Sequence, residues 1–231
     1  KMVPVTMKKS DGTKETVLRP TFMQNLKFFI GYQCNHMYWR YFMWNFVGRQ
    51  NDIQGHGEIE NGNWASGIGF IDNARLGNQD NLPKSMSNSG HTEFYFLPLI
   101  LGLIGLFYHI KHDLKNSWVV FLLFFMTGLA IVIYLNQTPF QPRERDYAYA
   151  GSFYAFCIWI GFGLLGIVDL LQKFMKNKMA VAVVAFVLCM SVPTVMAASG
   201  WEGHNRSGKT SALDWGKNYL KNLPENAVIF T

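Results

Sequence analysis

The chain has 231 residues, a formal net charge of +6, 49% hydrophobic residues and only 16% charged ones. That length suits one or two ordinary domains. The positive excess sits largely in short Lys-rich connections and in the opening KKSDGTK, where headgroups or solvent are the expected partners. No basic stripe interleaved with stacking aromatics lies on a foldable module, so nucleic acid is not an expected partner.

Residues 1–92 are mixed and polar and are expected to form an extracytoplasmic or interfacial segment. Residue 1 is Lys, no signal peptide precedes the polar start, and the closing NAVIFT reads as a strand cut short. The expectation is an internal piece of a longer chain. Between Phe22 and Phe46 aromatics are dense, broken by Lys27, His36, Arg40 and Asn45. This stretch is too polar to span comfortably. Trp39, Trp44 and the tyrosines suit a helix lying at the membrane surface, with a buried aromatic helix pair as the alternative. In the functional reading Arg40, Arg49, Asn51 and Asp52 line a cleft above the bilayer. The Gly- and Asn-rich stretch Gln54–Ser89 reads as an irregular ordered loop or a linker. Cys34 and His36 are two metal-ligand types, too few for a site. Cys157 and Cys189 fall in apolar runs and read as packing residues.

Residues 93–199 hold four apolar runs, Phe94–Ile110, Trp118–Leu135, Gly151–Leu171 and Met179–Ala198. A crossing takes about 20 apolar residues, and the first run is near the short limit. The expected fold is therefore mainly α and integral to a membrane. It comprises four transmembrane helices with interfacial aromatic helices, and residues 200–231 begin a soluble α/β extracytoplasmic domain. KHDLKN joins runs one and two, and KFMKNK joins three and four. The positive-inside rule puts both in the cytoplasm and the main loops on the opposite, periplasmic side.

Pro139 and Pro142 stop the second run. Arg143, Glu144, Arg145 and Asp146 then stand at the membrane surface, followed by Tyr147, Tyr149 and Tyr154. One reading is an interfacial hairpin of mutually paired charges and anchoring tyrosines. The sharper reading is a site for a lipid-linked phosphate. Arginine forks bind phosphate oxygens bidentately, and Glu144 and Asp146 can orient those forks or help hold a divalent cation.

Two motifs point elsewhere. Gly203–Thr210, GHNRSGKT, completes a G-x-x-x-x-G-K-[ST] phosphate loop, but a span rather than a strand precedes it. Gly161, Gly163 and Gly166 match G-x-G-x-x-G in mid-span, where small residues let helices approach closely.

HMYWRYFMWNFVGRQNDIQG together with QTPFQPRERDYAYAGSFYAFCIWIG resembles a family of large bacterial multi-spanning proteins. That family is allied to the animal transmembrane-protein O-mannosyltransferases and similar to the C-type glycosyltransferases. The resemblance implies a protein O-glycosyltransferase of inverting chemistry in the bacterial inner membrane. It would move a sugar from a polyprenyl-phosphate donor to Ser or Thr of extracytoplasmic acceptor proteins. It further implies that the catalytic base lies in a first extracytoplasmic loop preceding this chain, within the remainder of the same polypeptide. The blocks Tyr38–Asp52 and Gln141–Tyr149 become the signature polar segments, with Arg143 and Arg145 assigned to the leaving phosphate. The family reads closer to His-Asp-Arg-Ser-Gly-Arg after the fourth span, so Lys209-Thr210 is local variation. The rival readings are a non-catalytic scaffold of an envelope export or assembly complex and a membrane-associated nucleotide hydrolase. A transporter is disfavoured, since Asp169 is nearly alone as an ionisable residue within the spans.

Overall fold

A Thr21–Gln24 capping box starts the helical part of the molecule. The Gln24 amide N–H reaches the Thr21 hydroxyl, and the Thr21 N–H donates to the Gln24 side-chain oxygen at 2.9 Å. The computed structural model describes residues 3–8, 13–79, 82–84, 86, 88–139, 145–221, 223–224 and 227. Before the box, β1 (Val3–Lys8) and β2 (Lys14–Arg19) form an antiparallel hairpin with Val3 opposite Arg19. After it, α1 (Phe22–Phe28) widens without a break into a π-helix, Phe29–Trp39, and continues as α2 (Arg40–Phe46). The Arg40 N–H donates to Asn35 O, five residues back.

The aromatic stretch is thus one rod whose two halves differ. Phe22 is 79% exposed, whereas Met37, Tyr38, Tyr41, Phe42, Met43, Phe46 and Val47 are buried. The expectation of a helix lying at a surface is corrected for the second half, which forms the core. Aromatics on nearly every side of a helix are satisfied only when other elements wrap around it.

Those elements are the apolar helices. Phe42 meets Phe156 edge-on at 4.9 Å and Phe124 at 5.9 Å, and Phe46 packs on Phe156 at 4.6 Å. Tyr38 meets Tyr149 edge-on at 5.4 Å, and its hydroxyl is 3.2 Å from the Ser152 hydroxyl. The second apolar run is two helices, α5 (Leu114–Met126) and α6 (Leu129–Leu135), parted at Thr127–Gly128. A Cβ at Gly128 would stand 2.6 Å from the Tyr38 hydroxyl and 2.9 Å from Ser152 Cβ. The break lies where the aromatic rod enters.

Among the described residues, three helical stretches are long and apolar enough to cross a membrane: Leu114–Leu135 with 22 residues, and Asp146–Gln172 and Lys178–His204 with 27 each. The last two contain α7 (Ala150–Gln172) and α8 (Lys178–His204). The first expected span, Phe94–Ile110, is instead the shorter helix α4 (Leu97–His112) of 16 residues, entered through Tyr95 and Phe96 at φ 52° and 59°. At about 1.5 Å per residue it is roughly 24 Å long, against a hydrocarbon core of about 30 Å. α4 lies along α7 with backbones in near contact. A Cβ at Gly105 would meet Trp159 O, and one at Gly163 would meet Leu101 O. A Cβ at Gly166 would come within 2.7 Å of Ile104, while Gly161 faces open space. The mid-span glycine motif is therefore a packing stripe to which two of its three glycines contribute.

The Gly- and Asn-rich stretch contains one helix that the sequence reading missed, α3 (Gly69–Leu76), between the short paired strands β3 (Gly48–Arg49) and β4 (Thr92–Glu93). After α8 comes α9 (Ser211–Lys221). The expected closing strand lies outside the described residues apart from residue 227. The described part of the expected α/β domain is helical.

Gly105→Ala should destabilise the protein by about 1–3 kcal/mol through overpacking, while Gly161→Ala should be nearly neutral. Thermal unfolding of the purified protein in detergent checks both.

Candidate functional site

The polar segment after α2 is folded around two buried amides. The Gln50 and Asn51 side chains are 1% and 0% exposed. Asn51 Oδ1 accepts from the N–H groups of Gly62 at 2.9 Å and Ile53 at 3.3 Å. Its Nδ2 donates to Glu60 O and Met86 O, each at 3.2 Å. Gln50 Oε1 accepts from Asn63 Nδ2 at 3.1 Å, and its Nε2 donates to Ile59 O. Asn51 therefore holds the 53–63 loop and does not line a cleft, a correction to its expected role. An amide supplies donor and acceptor together, which a loop with no backbone ladder requires. Asp72 does the same for the next turn: its carboxylate accepts from Ser66 N, Ser66 Oγ and Gly67 N at 2.8–3.1 Å.

On this frame a pocket of about 480 Å³ opens between the end of α2, β3, β4 and the end of α8. Arg49 and Asp146, which come from the two polar blocks, both line it, with Trp44, Asn45, Trp201 and His204 around them. Arg49 Nε donates to Gly90 O at 2.8 Å, and its guanidinium lies 5.3 Å from the centre of the Trp44 ring. Burial lowers the Arg49 pKa, while the negative charges of Asp52 and Asp146 act the other way. Asp52 approaches from behind: a Cβ at Gly90 would stand 2.7 Å from Asp52 Cβ and 2.9 Å from Arg49 Nη2. Asn88 Nδ2 donates to Asp52 Oδ1 at 2.6 Å. His204 Nδ1 lies 2.8 Å from Gly200 O. A carbonyl only accepts, so Nδ1 carries hydrogen and the neutral ring keeps its lone pair on Nε2. The buried Trp44 Nε1 has no hydrogen-bond partner among the described residues.

The other expected site residues separate. Arg40, 5% exposed, stands 5.0 Å from the Trp44 ring and donates to His36 O and Gly62 O, each at 3.0 Å. It lines a different cleft. Arg145 and Tyr147 are exposed beside Asp146. Arg143 and Glu144 lie outside the described residues. Among the described residues no group of three or more His, Cys, Asp or Glu is gathered as metal ligands.

Sequence reasoning missed Trp201 and His204. The available signal was that Ala197, Gly200, Trp201 and His204 share one helical face just past the apolar run. The phosphate-loop motif does not have its required setting. Gly203 and His204 are the last residues of helix α8, with no strand before them. Asn205 Oδ1 accepts from Ser207 N and Oγ, and Thr210 Oγ1 donates to Asp214 in α9, so these side chains shape a local turn.

No protein family, characterised protein or solved structure matches the chain.

Asn51→Ala would strand several backbone groups of the 53–63 loop, each costing about 1–3 kcal/mol if it stays buried. Faster amide exchange confined to residues 51–63, with the helices unchanged, is the expected result. Glu58 adds a pH dependence. Its own N–H and that of His56, at 2.6 Å from Oε2, hold its carboxyl below the usual range. That stabilisation is complete above the unfolded pKa of about 4.3 and is lost as pH falls through the lowered folded value. Protection of this loop's amides, measured against their intrinsic exchange rates, should therefore fall on acidification, and Glu58→Gln should remove that dependence.

Proposed function

We propose that this chain belongs to a membrane glycosyltransferase. In this reading it transfers a sugar from a polyprenyl-phosphate carrier to Ser or Thr hydroxyls of proteins outside the cytoplasm. The observation that carries the reading is the meeting of Arg49 and Asp146, nearly a hundred residues apart, in one aromatic-walled pocket at the end of an apolar helix. A lipid-linked sugar phosphate needs those features together: a cation for the phosphate, flat apolar walls for the sugar, and a mouth level with the membrane surface.

In this reading α4 is a fourth, short crossing beside the three longer ones. The Lys-rich connections then face the cytoplasm, and the pocket faces the periplasm of an inner-membrane protein. The acceptor hydroxyl attacks the anomeric carbon as the bond from that carbon to the phosphate oxygen breaks, inverting the centre. Its proton passes to a carboxylate base, which the family resemblance assigns to a preceding extracytoplasmic loop. The lipid phosphate leaves with the bonding electron pair. Arg49 stabilises that charge, helped by Arg145 and by Arg143, to which the family resemblance assigns the same task. Glu144 and Asp146 orient the guanidiniums, and a divalent cation held there would share the task. Asp146 and the Nε2 lone pair of His204 offer acceptors for sugar or acceptor hydroxyls.

The test uses cells lacking the native protein, restored with full-length wild type, Arg49→Ala or Arg145→Ala at equal membrane abundance. Intact masses of extracytoplasmic proteins report added sugar. Loss of one donor to a developing anion should lower the transfer rate about a hundredfold, so Arg49→Ala should strongly reduce the added mass. Masses identical in wild type and deletion would overturn the transferase reading and favour the envelope scaffold.

A further inference from the structure

Behind the Arg49–Asp146 pocket lies the turn Asn88–His91, closed by the His91 N–H donating to Asn88 O at 3.0 Å. None of its residues is among the described ones that line the pocket. Asn88 is its organising side chain. The Asn88 Oδ1 accepts from Gly90 N at 3.0 Å and from Asp52 N at 3.4 Å, while its Nδ2 donates to Asp52 Oδ1 at 2.6 Å. One amide thus ties the turn to both the backbone and the carboxylate of Asp52.

The turn reaches both walls of the pocket. On one side Arg49 donates its backbone N–H to Thr92 Oγ1 at 3.1 Å and its Nε–H to Gly90 O at 2.8 Å. With Nε held there, the direction of the remaining guanidinium N–H groups follows from where Gly90 is kept. Asp52 and Asp146 both act on this guanidinium, so the turn governs its aim and not a surplus of charge. On the other side the end of α8 rests on the same segment. A Cβ at Gly203 would stand 2.7 Å from Ser89 O, and the Glu93 N–H donates to Ser199 Oγ at 3.2 Å. The first glycine of GHNRSGKT therefore has a packing duty, whereas Gly208 of the same motif faces open space.

We propose that the Asn88–Gly90 turn is the positioning element of the pocket. Through the Asn88–Asp52 pair and the Gly90 carbonyl it aims the Arg49 guanidinium, and through Ser89 it seats the end of α8 that carries Trp201 and His204. Asp52 and Asn88 act through Arg49 and touch no ligand themselves. The inference rests on the reading of this pocket as a site for a lipid-linked phosphate. A planar fork binds phosphate only along its own plane, so an arginine turned aside loses the contact while keeping its charge.

The test is native mass spectrometry of the full-length protein in detergent, titrated with farnesyl phosphate and, for the lipid chain alone, farnesol. Wild type should bind farnesyl phosphate at least about tenfold more tightly than farnesol, and Arg49→Ala should remove that preference. Asn88→Asp sets two carboxylates face to face and should weaken farnesyl phosphate about tenfold, as misaimed groups do. Adding Asp52→Asn to it exchanges donor and acceptor across the same hydrogen bond and should restore affinity to within about threefold of wild type, a coupling that a general loss of stability does not produce. Gly203→Ala should also weaken binding, while Gly208→Ala should match wild type. No preference in wild type, or an undiminished one in Arg49→Ala, would overturn the pocket reading and the positioning role together. Preference lost in Arg49→Ala but kept in Asn88→Asp, or not recovered by the exchanged pair at an unchanged thermal midpoint, would overturn the positioning role alone.

Discussion

The packing of Tyr38, Tyr41, Phe42 and Phe46 against α5, α6 and α7 is the constraint on which the rest of the molecule depends. A helix this rich in aromatics has no stable home in water and too many polar groups for lipid. Its neighbours accommodate it. α5 and α6 part at Gly128 to admit Tyr38, and Ser152 meets the Tyr38 hydroxyl that would otherwise be buried without a partner. Because α4 packs tightly along α7, and α7 packs on the rod, the short helix is held in the same assembly.

The rod also sorts the charges. Two guanidiniums approach the Trp44 ring, Arg40 at 5.0 Å and Arg49 at 5.3 Å, each belonging to a different cavity. Tyr41 adds a second ring under Arg40 at 4.7 Å. Cation–π contact of this kind partly offsets the desolvation of a half-buried arginine, which is how two like charges persist near one indole. The amide-centred loop lines the cavity of Arg40 through His56, Gly57 and Asn63. Asn51 supports residues facing one cleft, while Arg49, two positions earlier, faces the other.

Much of this was legible in the residues. The expected spans Trp118–Leu135, Gly151–Leu171 and Met179–Ala198 correspond to Leu114–Leu135, Ala150–Gln172 and Lys178–His204. Apart from the start at Leu114 and the end at His204, their boundaries agree to within one residue, because length and apolarity are properties of one segment alone. The overrun to His204 is not marked by hydrophobic length, since helical hydrogen bonding continues through Ser-Gly-Trp-Glu-Gly-His after the apolar run has ended; the shared face of Gly200, Trp201 and His204 was its one local sign. The candidate site was half legible. Arg49 and Asp146 stood out as charges in aromatic company, and they do meet. Arg40 and Asn51 stood out by the same signal, yet one faces another cleft and the other is a buried scaffold amide.

The sequence by itself determined that this is a helical chain with membrane-length apolar segments, an aromatic block and two polar blocks worth attention. Hydrophobic length, proline stops and glycine stripes are local, and they survive reading in one dimension. Only the tertiary structure decided which arginine faces which cavity, that half of the aromatic block is core, and that the end of α8 supplies a wall of the pocket. Those outcomes depend on contacts between segments far apart in the chain. There a single hydroxyl, ring face or missing Cβ selects one packing over another.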